Sequence, residues 1–151
     1  PGEVAERMRS FRRNLVMIAR MCQARSVPLI VGTVPSNLLK PSLTAESATG
    51  FEPANALYAE GRYAEGMAAT RRFLRSVPRH QASDAENEII RAVAEEYGLT
   101  LADVETAVCA AEPHGVPGET LFSDECHLNL EGNLILIDVF ERAIRGRYGL
   151  E

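Results

Sequence analysis

The chain has 151 residues, within the roughly 100–200 of an ordinary domain, so it holds one compact domain or part of a larger one and excludes a long solenoid. Hydrophobic residues make up 46% and charged residues 25%, the proportions of a chain that builds a core rather than a disordered one. The net charge of −5 and the pI of about 5.3 give no electrostatic reason to expect nucleic acid. No apolar run approaches the ~20 residues of a membrane span, so no membrane-spanning segment is expected.

Only one of the sixteen basic residues is a lysine, Lys40, and alanine is abundant; both read as codon bias rather than chemistry. Cys22, Cys109 and Cys126 are too few and too scattered for a disulfide framework or a zinc ribbon. A bridge between Cys109 and Cys126 with a spare thiol at Cys22, or three reduced thiols, both fit the odd count.

The first element is an amphipathic helix. Val4, Met8, Phe11, Leu15, Ile18 and Cys22 alternate steps of four and three, while Arg7, Arg9, Arg12, Arg13 and Arg20 take mainly the solvated remainder. The apolar run from Val27 to Pro35, rich in β-branched residues and bounded by prolines, reads as a strand buried on both faces of a parallel sheet. Helix followed by buried strand makes the fold class α/β. Sites in open α/β sheets lie beyond the carboxyl ends of strands, which brings Thr33, Pro35, Ser36 and Asn37 into consideration beside the plainer reading of a Pro-Ser-Asn turn.

Residues 38–50 read as loop, followed by a helical hairpin: Ala54 to Glu60, a break at Gly61, and Tyr63 to about Ser76, stopped before Pro78. The string from Leu57 to Met67 resembles part of a tetratricopeptide repeat. A single copy cannot stack, so the hairpin reads as an insertion packed on the main domain. Ser83-Asp84-Ala85-Glu86 is a capping box opening a helix through Ile89, Ile90, Val93, Ala94 and Tyr97, with Gly98 as its left-handed stop. Leu99 to Val104 reads as a second strand, a short helical or irregular stretch follows, and Glu112 to Gly118 is a loop held irregular by two prolines and two glycines. The last helix, from Leu130 to about Arg145 with Asn129 as N-cap, has apolar residues nearly all round it and is expected to be largely buried.

The chemistry concentrates at Asp124 and His127. Three residues apart in a turn, the carboxylate can reach one imidazole nitrogen, fix the tautomer and leave the other nitrogen to face a nucleophile. A lone D-x-x-H is a weak signal, and the surroundings add to it. Leu121-Phe122-Ser-Asp124-Glu-Cys-His127-Leu-Asn129-Leu-Glu-Gly132 resembles the last sequence block of the SGNH hydrolases, the GDSL esterase/lipase superfamily. Asn14 to Asn37 is similar to that family's helix, strand and T-x-P-S-N turn. Asn87 to Asp103, with Ile90, Arg91, Ala94 and Gly98, is similar to its N-x-x-I-R-x-x-A-x-x-x-G-x-x-x-x-D segment. An inserted repeat-like hairpin is found in some bacterial members.

The resemblance implies the C-terminal part of a three-layer α/β/α, flavodoxin-like fold. Residues 1–37 form a helix–strand unit, 38–82 a loop and inserted hairpin, and 83–151 the unit carrying the catalytic loop and final helix. It implies His127 as general base and Asp124 as the acid that orients it. No serine of this chain lies in a Gly-Asp-Ser motif, no Gly-x-Asn-Asp precedes the first helix, and only two strands are evident where that fold has about five. The nucleophile, the other oxyanion donors and about half the sheet would then belong to an N-terminal part of the same hydrolase. The expected activity of the whole is hydrolysis of a small ester or O-acylated carbohydrate, with this piece inert alone.

Two rivals stand beside it. Asp124, Glu125, Cys126 and His127, with His114 and Cys109 able to come near them, are zinc-type ligands, but no recognised spacing is present and adjacent residues rarely reach one ion, so no metal or cofactor is expected. The hairpin could instead make the chain a non-catalytic interaction module. His80 and His114 read as exposed loop histidines, the second close enough to the catalytic loop to line a cleft. Cys126 reads as a small core thiol whose side chain diverges from that of its neighbour His127.

Overall fold

A computed structural model describes residues 2–77, 79 and 81–150. Pro78 and His80, read above as a helix stop and a loop histidine, lie outside the described residues. Helix α1 spans Gly2–Gln23 and strand β1 Ile30–Gly32. After a short helix α2 (Ala45–Ala48) and a 3-10 turn, α3 (Glu52–Ala59) and α4 (Tyr63–Leu74) form the hairpin. Helix α5 (Asp84–Tyr97), strand β2 (Thr100–Ala102), α6 (Val104–Ala111) and α7 (Leu130–Tyr148) complete the chain. The protein is α-rich with one two-stranded parallel sheet, in which Ile30, Val31 and Gly32 pair with Thr100, Leu101 and Ala102. Among the described residues no helix is long and apolar enough to cross a membrane.

The helical starts and stops follow the local chemistry. Ser83 and Glu86 close the capping box at α5, and Gly98 ends that helix at φ 60°. Gly61 makes the hairpin turn at φ 75°, where a side chain would be strained. The arginines on the outer face of α1 are exposed as expected; Arg12 reaches Glu96, and Arg20 lies over the Tyr97 ring at 5.8 Å, so α1 is tied to α5. Residues 45–50, read as loop, are helical instead: Ala45, Glu46 and Ala48 are good helix formers, and the 3-10 turn Thr49–Phe51 runs straight into the Glu52-Pro53 start of α3.

Two expectations about burial are corrected. Strand β1 is three residues long and only half-buried rather than enclosed on both faces, and α7 buries only Gly132 and Val139 fully while Leu134, Ile137 and Ile144 stay exposed. Two strands about 5 Å apart make a surface no wider than one helix about 10 Å across. Such a sheet covers one side of α7 and no more. The covered side is well packed: Val139 joins Ala102, Val104, Val108, Leu121 and Phe122 in one core, with Phe140 lying where a Cβ on Gly32 would be 2.6 Å from its ring.

The hairpin has a core of its own. Leu38, Tyr58, Leu74 and Val116 are buried together, with Phe51, Tyr63, Met67 and Phe73 against them, and the Tyr58 hydroxyl meets Thr70 Oγ1 at 2.9 Å. Arg79, with its side chain fully buried, donates to both Glu86 oxygens at 2.8 and 2.7 Å; Arg75 reaches Asp84 at 2.7 Å. The hairpin thus has a packed core and its end is latched to α5.

A polar knot joins the sheet to its helices. Asp103 caps α6, accepts from Thr33 Oγ1 at 2.9 Å, and takes a forked pair of bonds from Arg91 at 2.9 and 2.7 Å. Partial burial opposes its ionisation, but Arg91, Thr33 and the Thr106 amide together hold the carboxyl at about 2. Because the folded-state value lies below the ordinary 3.8, its contribution is complete above about pH 4 and is lost as the pH falls toward 2. Urea midpoints measured across that window should drop for the natural chain. Asp103→Asn should be less stable at neutral pH and should show a shallower acid limb; an unchanged limb would assign the drop to other carboxylates.

Candidate active site

The D-x-x-H segment is a closed loop between the core and α7. Phe122 and Leu128 form an isolated antiparallel bridge, and the Ser123 amide donates to the His127 carbonyl at 2.8 Å. Inside the loop, Asp124 Oδ1 accepts from the amides of Cys126 at 2.8 Å and His127 at 2.7 Å, the turn that aspartate side chains favour. The other oxygen, Oδ2, is 2.7 Å from His127 Nδ1. The Cys126 amide, the imidazole and the His127 amide hold the Asp124 carboxyl at about 2, so it is ionised at any physiological pH. The imidazole is 76% exposed, and its Nε2 has no hydrogen-bond partner among the described residues. Sequence spacing alone required only that the two side chains could meet. Here the carboxylate is fixed by backbone first and offers the ring a preset acceptor.

The loop is positioned from the far side of the chain. Asn37, 2% exposed, donates from Nδ2 to the Asp124 carbonyl at 3.1 Å, while its Oδ1 accepts from the amides of Leu39 and Lys40 at 3.1 and 2.8 Å. The turn after β1 therefore does reach the site, through Asn37. Thr33 and Ser36 do not: the Thr33 hydroxyl serves Asp103 and the Glu105 amide, and the Ser36 hydroxyl donates to the Ala82 carbonyl at 2.9 Å. Asn87, 1% exposed, holds the same turn by bonding both the amide and the carbonyl of Val34, at 2.8 and 2.9 Å.

The α7 end of the loop is equally constrained. Asn129 caps the helix by accepting from the Gly132 amide at 3.0 Å and donates to the Thr120 carbonyl at 2.8 Å. A Cβ on Gly132 would lie 2.5 Å from the Leu121 carbonyl oxygen, a backbone atom that cannot rotate away. Alanine is the better helix former by about 1 kcal/mol, yet Gly132→Ala should destabilise by about 1–3 kcal/mol, because α7 must shift off the loop. Chemical denaturation gives the value; a gain in stability would show that the contact relaxes freely.

The chain matches no family model, no curated protein and no solved structure.

Several side chains differ from their sequence reading. Cys126 is exposed rather than in the core, and the tight turn swings its Sγ to 3.6 Å from His127 Nδ1 instead of away from it. The slight desolvation it meets in the turn and then the Asp124 charge push its thiol up, so it is no ready nucleophile. Asp124, Cys126 and His127 each offer a ligand atom within 4.8 Å of the others, a convergence that the absence of a zinc spacing did not suggest. Cys109 and Cys126 form no bridge; all three cysteines are free. His114 is exposed but occupied, its ring stacked on Tyr63 of α4 at 3.7 Å and 11°. Among the described residues no serine hydroxyl hydrogen-bonds to His127.

Sequence reasoning did not single out Asn87 as the support of the Val34 turn or Gly132 as a contact point. Both stood within the quoted blocks, but a buried amide's partner 53 positions away is invisible without the fold.

Proposed function

We propose that the chain is the histidine- and aspartate-bearing part of a serine ester hydrolase of the SGNH type. His127 is its general base and Asp124 the residue that holds the base in its working tautomer. The observation that carries the reading is the 2.7 Å contact between Asp124 Oδ2 and His127 Nδ1, with the carboxylate locked by two backbone amides and Nε2 left open. In that arrangement Nδ1 carries the proton and donates it to the carboxylate, so Nε2 presents a lone pair to a hydroxyl. As the serine attacks an ester carbonyl, Nε2 takes its proton, Asp124 stabilises the imidazolium, and the proton then passes to the departing alcohol.

Three features support the family reading beyond the dyad. The three blocks that resemble SGNH hydrolases are joined by part-buried hydrogen bonds, Asn37 to Asp124, Asn87 to Val34 and Thr33 to Asp103. Helices α5 and α7 each pack on both strands, as helices do in a layered α/β/α arrangement. The apolar residues left open on α7 suit a larger sheet than two strands provide.

The nucleophile and the oxyanion donors would come from a segment outside these 151 residues, and the substrate is a small ester or an O-acylated carbohydrate. Loss of ester hydrolysis in the longer polypeptide on replacing His127, measured with short-chain aryl esters, tests the assignment. Near-full turnover in that variant would overturn it.

A further inference from the structure

We propose that the same loop binds a thiophilic divalent cation of the zinc class through Asp124, Cys126 and His127. Metal held there switches the base off. Binding stands on the geometry of this chain alone, whereas the inhibition rests on the ester-hydrolase reading. The three side chains are the one cluster of metal-ligating groups among the described residues, and all are exposed, so an ion can enter and complete its shell with water.

The three ligand atoms lie within 4.8 Å of one another, and the two separations from the imidazole nitrogen are near what zinc requires. With Zn–S near 2.3 Å and Zn–N and Zn–O near 2.0–2.1 Å, a tetrahedral ion separates sulfur from nitrogen by about 3.6 Å and nitrogen from oxygen by about 3.3 Å. Cys126 Sγ already lies 3.6 Å from His127 Nδ1. Asp124 Oδ2, at 2.7 Å from that nitrogen, has to draw back by roughly half an ångström, a small turn of the carboxylate that lengthens its Oδ1 bonds to the Cys126 and His127 amides. The loop that carries them is closed by the Phe122–Leu128 bridge and tied to Asn37, which lowers the order that has to be created on binding. A thiolate with an imidazole selects zinc, cobalt or cadmium over magnesium or calcium.

The consequence for the base follows from proton counting. Ligation removes the thiol proton of Cys126 to solvent, so binding weakens as pH falls. It also takes the lone pair of Nδ1. A neutral imidazole bound to metal through Nδ1 carries its proton on Nε2, the reverse of the tautomer that Asp124 otherwise imposes. Nε2 then has no lone pair for a serine hydroxyl, and the carboxylate has left the ring for the ion.

Cadmium titration of the 151-residue chain, followed by thiolate-to-metal charge-transfer absorption, should saturate at one equivalent. Cys126→Ser should abolish the band, Cys22→Ser and Cys109→Ser should keep it, and His127→Ala should weaken binding by roughly tenfold or more. A Cys126→Ser chain that still develops the band, or a His127→Ala chain of undiminished affinity, overturns the site. In the longer hydrolase, zinc should inhibit the natural enzyme and spare Cys126→Ser, whose backbone bond to Asp124 is intact. Metal binding without any esterase activity would sink the hydrolase reading and leave the metal site standing; zinc inhibition undiminished in Cys126→Ser would overturn the switch.

Discussion

On the proposed ester-hydrolase reading, His127→Ala in the longer polypeptide should lower turnover by about 10⁴-fold or more, because it removes the imidazole that would accept the serine proton. Asp124→Asn should cost about 10³–10⁴-fold by a different route. The asparagine carbonyl can still accept from the Cys126 and His127 amides, so the loop keeps its shape. Its amide nitrogen then faces Nδ1 as a donor, which moves the imidazole proton to Nε2 and presents the wrong tautomer to the nucleophile. The loss should fall on kcat with KM little changed, since neither residue is asked to hold substrate. Circular dichroism would report an unaltered fold for Asp124→Asn. Steady-state kinetics of both variants decides the matter: two near-normal kcat values would remove Asp124 and His127 from the mechanism.

Asn87→Ala should give the largest loss of stability among the substitutions considered. The Asn87 side chain acts as a surrogate strand for Val34, meeting both its amide and its carbonyl where β1 has ended and no ladder partner is present. Truncation leaves those two backbone groups without partners and opens space at a position 1% exposed. About 2–4 kcal/mol should be lost, a fall of roughly 5–15 °C in melting temperature for a chain of this size. The turn from Val34 to Asn37 is the support of the Asp124 carbonyl, so the variant should also loosen the loop that carries Asp124 and His127. Faster amide exchange at Cys126 and His127 would report that. Asn87→Ala within about 0.5 kcal/mol of the natural chain would mean that water replaces both bonds, and the surrogate-strand account would fail.

The parts of the fold legible in the sequence are those whose signals are local. The stripe on α1, the Ser83–Glu86 box, the glycine stops at Gly61 and Gly98 and the Asn129 cap each place an element, because a helix end or a turn is satisfied by residues within a few positions. The extent of burial was not legible in the same way. An apolar run tells how much surface a segment would bury, not whether anything is there to cover it, and β1 and α7 meet only a two-stranded sheet. Cys126 was misread for a related reason: side chains of neighbouring residues diverge on a regular strand or helix, but the Asp124 turn folds them onto one side.

By itself, the sequence determined that helices alternate with two parallel strands, that a helical hairpin interrupts them, and that Asp124 and His127 stand three residues apart in a turn where their side chains can meet. Tertiary structure alone decided that Asn37 would seat the loop from 87 positions away, that Asn87 would stand in for a strand, and that Cys126 would join Asp124 and His127 in one ligand cluster. The division has a physical cause. Hydrogen bonds within a turn are chosen by neighbouring residue types, whereas a buried amide's long-range partner is set by where packing brings the chain back.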